Sequence, residues 1–554
     1  MAFERIWHKS YVEGVPAEIE FEKTTLPEAL SRSAREFPDH TALIFMGREI
    51  TYRELDELVN RFARELLSLG VKPGDTVGLL LPNVPQTVIA TYAALRIGAV
   101  TSPNNPLYTE RELTHQLTDS RASVLVCLDV LLPRVRNVIG KTGVKHVVAC
   151  HVNDYLPFPK KQLFPFVKKD MYRKVASGDN ASEFLACIKR QSGDPVENQA
   201  KWDETATLLY TGGTTGVSKG VMLTHANLSS NVQQIQPWFA GFKKGEERFI
   251  GIFPFFHAAG FTNLQNLCIW MGWCDILVPR PEPGVIIEMI DKFKPTVIPG
   301  VPTIYVGLLA DPAFHKLDFS SVKGFFAGAA PLNRSTIDQL EKLTGATICE
   351  VYGLTETSPD ATASPYGGKV KVGTVGLPLP STDIKIVDVE DGTKEMQVGE
   401  PGEICIKGPQ VMAGYYNRPE ATAEVLRDGW LHTGDVGQFD EDGYITIVDR
   451  KKDMIIAGGY NIYPKEVDEI LHAHPKIAEA CTVGVPDEYR GETVKAFVVA
   501  REGEILTVEE VTAHCRENLA AYKVPKQIEF VEELPKSAVG KILRRVLRDA
   551  EQGK

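Results

Sequence analysis

The sequence lacks the features of several protein classes. Its nine cysteines are scattered, with no C-x-x-C pair and no histidine at zinc spacing, which argues against a zinc site or a disulfide framework. A membrane helix needs about 20 nearly uninterrupted apolar residues, and polar residues interrupt the most apolar region, 249–279. The first residues lack the basic and apolar regions of a secretory signal. We therefore expect a cytoplasmic protein with reduced, buried cysteines.

An excess of positive charge is also missing. The formal net charge is −11, whereas nucleic-acid binding relies on cationic surface, so we expect no nucleic-acid partner. Internal repeats and low-complexity tracts are absent as well. With 554 residues and 43% hydrophobic side chains, the chain is expected to form a soluble, folded protein of more than one domain.

Short apolar strands alternate with amphipathic helices through the first two hundred residues. Thr51 and Glu54 form the pattern of a capping box before a helical run that ends at Gly70. A buried strand is predicted over 77–81 and a helix over 84–97. This alternation predicts an α/β fold with parallel-rich sheets that helices flank on both faces.

The charged run 449–453 predicts a domain boundary. A strand is expected before it at 444–448, and after it about a hundred residues have an α/β pattern of their own. We predict a large domain over 1–449, a small one over 450–554, and a hinge near 449–453. The expected elements of the small domain are a helix at 464–472, strands at 478–485 and 494–500, and a helix at 508–519.

The segment 155–174, YLPFPKKQLFPFVKKDMYRK, is proline-rich, aromatic and basic. Aromatic and lysine side chains suit a membrane interface, so peripheral membrane contact is one interpretation. A surface excursion that packs on the domain is the other.

Residues 208–220, LLYTGGTTGVSKG, resemble a phosphate-binding loop without being a P-loop. Lys219 follows Ser218 and precedes Gly220, so the order Gly-Lys-[Ser/Thr] is missing. Glycines after a strand let backbone amides turn inward around an anion, and hydroxyls and a lysine add donors. A flexible linker is the alternative, which the preceding buried strand disfavours. The predicted phosphate ligands are Thr211, Gly212, Gly213, Thr214, Thr215, Gly216, Ser218 and Lys219.

Four further motifs follow this loop in order: VYGLTET (351–357), WLHTGD (430–435), DRKKD (449–453) and LPKSAVGK (534–541). Together the five resemble the AMP-forming acyl-CoA synthetases of the adenylate-forming superfamily, over residues 25 to 548. The runs KKDMIIAGGYNIYP (451–464) and PFPKKQLFP (157–165) are most similar to bacterial long-chain fatty-acid CoA ligases.

The resemblance implies an acid–thiol ligase with ATP and CoA as co-substrates and Mg²⁺ as cofactor. A carboxylate would attack the α-phosphate of ATP to give acyl-AMP and pyrophosphate, and the CoA thiol would then displace AMP. The implied architecture is a large N-terminal domain that holds the ATP and acyl sites and includes a smaller β subdomain. A small, mobile C-terminal α+β domain follows it.

By the same resemblance, Lys541, Thr355 and Glu356 are the catalytic residues. Glu356 would hold Mg²⁺, which proteins often bind through one or two carboxylates plus substrate oxygens. Thr355 would contact the α-phosphate, and Lys541 would bridge the incoming carboxylate and that phosphate. For Glu356 an ordinary helix-start carboxylate is the alternative, and for Lys541 a solvated lysine. The remaining implied ATP ligands are Gly353, with Gly328, Ala329, Ala330 and Tyr352 around adenine, and Asp435 and Arg450 on the ribose.

The resemblance also assigns the hinge and the acyl and CoA sites. Lys452 holds the hinge position, and Gly458, Gly459 and Tyr460 would approach the CoA arm. His257 would line the acyl channel with Phe261 as its gate, and Gly328 and Gly353 would border the acyl group. A lone histidine in an apolar run is also typical of a core residue, so that interpretation of His257 stays open.

Three other functions are compatible with parts of the pattern. An aryl or short-chain acid CoA ligase, or an enzyme that loads a carrier protein, would make the same adenylate. A regulatory nucleotide-binding module is expected to lack Glu356 or Lys541, and both are present. The expected partners are small molecules. The sequence leaves open whether the chain is a monomer or a homodimer.

Overall fold

The computed structural model describes residues 5–211, 218–328, 332–457, 460–487, 490–536 and 542–552. The chain divides into two compact units. The first unit comprises Met1–Lys9, Asp383–Ile406 and Arg427–Lys554, and the second comprises Ser10–Thr382 and Lys407–Leu426. The boundary predicted at 449–453 lies inside the first unit, and the division into 1–449 and 450–554 stays a prediction.

The second unit contains a nine-stranded sheet whose six central strands run parallel. Parallel strands buried on both faces are typical of helix-covered sheets, which explains their near-continuous apolar sequence. In spatial order the strands are Leu377–Pro378, Asp360–Ala363, Thr347–Gly353, Gly324–Ala327, Val297–Gly300, Arg248–Gly251, Cys274–Leu277, Thr41–Phe45 and Arg48–Thr51.

A second sheet of eight strands lies in the same unit, and six of its strands are parallel. At one edge two further strands, Lys219–Thr224 and Gly414–Tyr415, are added in antiparallel pairing, and in the sequence the glycine-rich loop lies between Thr205–Thr211 and Lys219–Thr224. The order is Gly414–Tyr415, Lys219–Thr224, Thr205–Thr211, Val100–Pro103, Thr76–Leu80, Ala122–Leu128, His146–Cys150 and Ala181–Glu183.

Helices connect and cover these strands. The helix Pro85–Arg96 is buried along its whole length, and its buried polar side chains Gln86 and Arg96 donate hydrogen bonds to His151 and Asn60. The capping box at Thr51 forms only in part: its hydroxyl accepts from the amide of Glu54 at 3.2 Å, while the Glu54 carboxylate pairs with Arg48. The α-helices are Leu26–Glu36, Tyr52–Ser68, Pro85–Arg96, Glu110–Asp119, Leu132–Ile139, Lys160–Val167, Phe184–Arg190, His225–Ile235, Leu267–Met271, Pro283–Phe293, Pro302–Ala310, Arg334–Thr344 and Pro419–Val425, with a π-helix at Gly260–Asn266.

The first unit contains two five-stranded sheets. One is formed by Asp383–Val387, Gly402–Lys407, Trp430–Phe439, Leu426–Arg427 and Ile445–Arg450. The other consists of Tyr460–Ile462, Ile455–Ala457, Gly491–Ala500, Ile477–Asp487 and Gln527–Phe530. The helices are Pro464–His472, Val508–Asn518 and Arg544–Gln552. An apolar core of its own, which includes Ile462, Val467, Leu471, Val498 and Val511, holds the second sheet to its helices.

The predicted fold class is confirmed, because parallel-rich sheets are flanked by helices as the alternation of strands and helices indicated. All nine cysteines are buried and free, as expected from their scattered positions. Within the described ranges, no helix is both long and apolar enough to span a membrane.

Candidate active site

The predicted phosphate loop joins two antiparallel strands of the second unit. Thr211 ends the strand Thr205–Thr211 and lies opposite Lys219, the first residue of Lys219–Thr224. The predicted ligands Gly212, Gly213, Thr214, Thr215 and Gly216 lie outside the described residues. The backbone carbonyl of Ser218 lies 3.0 Å from the ring nitrogen Nε2 of His115, so a neighbouring helix supports the end of the loop.

Glu356 lies in a single helical turn, Thr355–Thr357, directly after the strand Thr347–Gly353. Its backbone oxygen accepts a hydrogen bond of 2.8 Å from the amide of Met412. Gly353 permits this tight turn, because a Cβ at that position would lie 1.8 Å from the carbonyl oxygen of Pro359. The local geometry therefore requires glycine before the Thr355–Glu356 pair.

Tyr415 connects Glu356 to Lys219. Its hydroxyl donates a 2.7 Å hydrogen bond to Oε1 of Glu356, and the Lys219 ammonium lies 4.9 Å from the centre of its ring. Tyr415 reaches this position because its strand pairs with the strand of Lys219, with Tyr415 opposite Val221. Burial and the Glu356 charge raise the pKa of Tyr415 far above its usual range, so it remains a donor. The structure thus brings the predicted lysine and the predicted carboxylate together.

Tyr415 lies outside the five sequence motifs. Two tyrosines follow Gly414 in the sequence, and no local pattern distinguishes the one that faces the site. The distinction arises from the pairing of Gly414–Tyr415 with a strand almost two hundred residues earlier.

The residues predicted to hold adenine lie on neighbouring parallel strands. Gly328 follows the strand Gly324–Ala327, which pairs with Thr347–Gly353, where Tyr352 is half-buried. A Cβ at Gly328 would lie 3.0 Å from Cγ2 of Val351, so the two strand ends approach closely. In α/β sheets, ligands commonly bind beyond the carboxyl ends of such strands. Ala329 and Ala330 lie outside the described residues.

The predicted ribose ligands lie together in the first unit. Asp435 and Arg450 are register partners in an antiparallel pair, and Arg450 Nε lies 3.2 Å from Asp435 Oδ1. Asp435 is only 5% exposed. Gly434, at φ +70°, takes the left-handed conformation that turns the chain before Asp435, and its amide donates to Glu403 at 3.1 Å. Glu403 also pairs with Lys451, so it supports both strands, and it lies in none of the five motifs.

The predicted hinge residue Lys452 lies in a turn after the strand Ile445–Arg450. Its backbone oxygen accepts a 2.9 Å hydrogen bond from Arg548, which also pairs with Asp453 at 3.1 Å. Tyr460 begins the strand Tyr460–Ile462, whereas Gly458 and Gly459 lie outside the described residues. Lys541 also lies outside them.

Phe261 lies within the π-helix Gly260–Asn266, and His257 directly precedes the helical segment that includes it. Burial lowers the pKa of His257 to about 4, so its ring is neutral near neutral pH. Phe261 is 1% exposed and its amide donates to the His257 carbonyl at 2.9 Å. Phe261 therefore belongs to the buried interior, whereas His257 is half-buried.

An apolar cavity of about 40 Å³ lies next to this segment. Asn263, Leu264 and Leu267 contribute one wall, and the aromatic side chains Trp238, Phe239, Phe249, Phe253 and Phe326 contribute most of the rest. Asp360 also lines the cavity, and burial raises the pKa of its carboxyl to about 7. Such a lining suits an apolar ligand group.

Comparison with known proteins identifies the family of this chain. The AMP-binding enzyme family model matches residues 30–416, and the model of the AMP-binding enzyme C-terminal domain matches residues 466–541. The chain belongs to the AMP-binding enzyme family, and the resemblance drawn from its five motifs is confirmed.

Among curated relatives, the long-chain-fatty-acid–CoA ligase of Bacillus subtilis is 45% identical, over 100% of this chain and 99% of that protein. The probable 4-coumarate–CoA ligase 1 of Dictyostelium discoideum is 34% identical over 95% of each chain. Among solved structures, ATP-bound MatB from Rhodopseudomonas palustris is similar with a TM-score of 0.83 and 30% identity, covering 95% of this chain and 99% of that one.

Proposed function

We propose that this chain is an ATP-dependent acid–thiol ligase that converts a fatty acid to acyl-AMP and transfers the acyl group to CoA. The observation that carries the proposal is the chain of contacts from Lys219 through Tyr415 to Glu356, beside the glycine-rich loop. A lysine ammonium and an oriented carboxylate beside such a loop suit the binding of a nucleoside triphosphate with its metal ion.

The donor set fits Mg²⁺. A magnesium ion in a nucleotide site keeps several waters and takes one or two carboxylates together with phosphate oxygens. Glu356 supplies one carboxylate, held in place by Tyr415. When bound, Mg²⁺ neutralises phosphate charge, while Thr211, Ser218, Lys219 and the loop between them hold the β- and γ-phosphates.

The first half-reaction requires alignment more than a protein nucleophile. A carboxylate oxygen of the fatty acid attacks the α-phosphorus, and the bond to pyrophosphate breaks. Thr355 and Lys541 stabilise the charge on that phosphate. Tyr352 and the segment 328–330 hold adenine, and Asp435 with Arg450 holds the ribose.

In the second half-reaction the CoA sulfur attacks the acyl carbon, and AMP leaves with its oxygen. We propose that the segment 450–554 acts as a mobile domain that turns at Lys452. That rotation withdraws Lys541 and lets Gly458, Gly459 and Tyr460 approach the CoA arm. Charged linker residues can absorb such a change in backbone angles.

A fatty acid is the preferred substrate for two reasons. The cavity beside Asn263 and Leu264 is lined mainly by apolar side chains, and the 45% identity to a fatty-acid ligase exceeds the 34% identity to the coumarate ligase. We assign the acyl chain to this region, with His257, Phe261, Gly328 and Gly353 at its borders. An aryl or short-chain acid, or a carrier protein as acceptor, is the second candidate.

Pyrophosphate release tests the proposal. We expect release that depends on fatty acid, with a maximum among straight-chain acids from octanoate to stearate, and a multiple-turnover rate that rises when CoA is added. Equal or faster release with benzoate or 4-coumarate would favour the aryl ligase. Release without any thioester formation from CoA would favour carrier-protein loading.

We place the enzyme in the cytoplasm. We also propose that it makes peripheral contact with a membrane, because its fatty-acid substrate partitions into bilayers. The segment 155–174 is the part of the chain that supports this contact.

A further inference from the structure

The helix Lys160–Val167 presents an apolar face to the solvent. Leu163, Phe166 and Val167 are 52%, 74% and 71% exposed, and their i, i+3, i+4 spacing places them on one side of the helix. Phe158, just before the helix, is 83% exposed. We call these four residues the apolar patch. Clustered exposed apolar side chains mark an interaction surface more often than single ones do.

The rest of the segment holds the helix to the body of the protein. Phe164, which points away from the apolar patch, is only 7% exposed. The Asn153 side chain donates to the Lys161 carbonyl at 3.0 Å, and the Lys161 ammonium donates to the Asp154 carbonyl at 2.7 Å. The apolar patch is therefore displayed by an anchored helix.

Positive charge borders the apolar patch at both ends of the helix. Lys160, Lys168 and Lys169 are exposed, and within the described ranges their side chains form neither an ion pair nor a hydrogen bond. Residues 155–174 contain six Lys or Arg and one Asp, a net charge of +5. Since the whole chain carries −11, the residues outside this segment carry −16.

We infer that the apolar patch and its flanking lysines dock on the surface of an anionic lipid bilayer. Shallow insertion of aromatic and aliphatic side chains, with lysines at headgroup level, is the usual geometry of an interfacial helix. Anionic lipids attract the lysines and repel the acidic remainder of the chain. This inference rests on the proposed function, since the fatty-acid substrate partitions into the same bilayer.

A second copy of the chain fits the apolar patch less well. A twofold contact would place each patch, with its lysines, against the same residues of the partner. The unpaired ammonium groups would then face one another. An anionic surface offsets these charges instead.

Vesicle cosedimentation of the full chain tests the inference. The probes are phosphatidylcholine vesicles and vesicles of phosphatidylcholine with phosphatidylglycerol at a ratio of about seven to three, a composition that gives the negative surface potential the lysines require. The patch variant is Phe158→Ser with Phe166→Ser, and its control is Leu107→Ser, since Leu107 is 73% exposed elsewhere. The charge variant changes Lys160, Lys168 and Lys169 to Gln, and its control changes the exposed Lys9, Lys342 and Lys526 to Gln.

We expect the wild type to bind the anionic vesicles more tightly than the neutral ones. The vesicle partition coefficient of the patch variant should fall about tenfold or more, because each Phe buried in the bilayer contributes to the free energy of binding. The charge variant should bind both vesicles alike and lose its salt dependence. Both controls should bind as the wild type does. All variants should keep the wild-type rate of octanoate-dependent pyrophosphate release in vesicle-free solution, which separates docking from catalysis.

Several results would overturn the inference. These are wild-type binding that does not depend on anionic lipid, or a patch variant that binds as well as the wild type. Light scattering that shows a dimer in the wild type and a monomer in the patch variant would assign the patch to a second copy. Lack of octanoate activity in all proteins, with vesicle binding as expected, would refute the proposed function alone.

Discussion

The hydroxyl of Tyr415 donates a 2.7 Å hydrogen bond to the carboxylate of Glu356, and the ring of the same tyrosine lies under the ammonium of Lys219. The side chain of Tyr415 therefore contacts both a carboxylate and an ammonium group that lie 137 positions apart in the sequence. The carboxylate is oriented before any nucleotide binds, which lowers the cost of ordering it on binding.

Tyr415→Phe keeps the ring beside Lys219 and removes the hydrogen bond to Glu356. A hydrogen bond to a charged group contributes about 1.5–3 kcal/mol, so we expect the Kd for ATP with Mg²⁺ to rise about tenfold. Isothermal titration calorimetry of ATP with Mg²⁺ measures this, and Mn²⁺ binding in the presence of ATP, followed by electron paramagnetic resonance, reports on the metal.

Tyr416→Phe is the matched control, since Tyr416 is the half-buried neighbour in the same segment. Tyr416→Phe should bind ATP with Mg²⁺ as tightly as the wild type does. Equal nucleotide affinity in Tyr415→Phe and the wild type would show that the hydrogen bond does not orient the metal ligand.

Lys541→Ala should lower the rate of acyl-AMP formation by at least about a hundredfold, the usual effect of removing one preorganised donor from a developing charge. Thioester formation from supplied acyl-AMP and CoA should remain within about threefold of the wild-type rate, because by then the bond to pyrophosphate is already broken. Each half-reaction is followed by single-turnover assays.

Lys526→Ala is the control, since Lys526 is an exposed lysine of the same C-terminal region. Equal losses in both half-reactions of Lys541→Ala would contradict a role limited to adenylation.

Sequence patterns predicted the C-terminal elements closely. The helix expected at 464–472 is Pro464–His472, and the strand expected at 478–485 lies within Ile477–Asp487. The helix expected at 508–519 is Val508–Asn518, which begins after Thr507 with a complete capping box to Glu510. These elements are determined locally, by caps and by the period of apolar residues.

Features that depend on distant pairing were not predictable in the same way. Tyr415 faces Glu356 only because its two-residue strand pairs with Lys219–Thr224. Likewise, Glu403 supports Gly434 and Lys451 from a strand that no motif marks. A single sequence gives no register for such contacts, so the motifs supply candidate substrate-binding residues and omit the residues that contact and support them.

Lys452→Pro should slow the thioester step by about tenfold or more and leave adenylation near the wild-type rate. Proline fixes φ at this position and removes the amide hydrogen, so the backbone loses the freedom that domain rotation requires. Lys452→Ala removes the charge and keeps the backbone freedom, and it should behave like the wild type. Equal second-step rates for the proline variant and the wild type would contradict a hinge at Lys452.

The carboxyl of Asp275 should make the stability of the protein fall as pH rises. Asp275 is 1% exposed, neither of its oxygens has a hydrogen-bond partner among the described residues, and burial raises its pKa to about 8. Between its ordinary pKa and about 8, the unfolded chain loses this proton while the folded chain keeps it. Stability therefore falls with pH in that window, by up to about 1.4 kcal/mol per pH unit for this one group.

Asp275→Asn removes this titration with little change of volume, and any effect of the amide itself is independent of pH in this range. We expect the urea midpoint of the variant, relative to the wild type, to rise steadily from pH 5 to pH 8 and then to level off, because above that pH both states of Asp275 are ionised. For Asp203→Asn, a change at an exposed aspartate, the difference in urea midpoint from the wild type should not change with pH. A flat difference for Asp275→Asn as well would mean that Asp275 is ionised in the folded protein, with water molecules satisfying both of its oxygens.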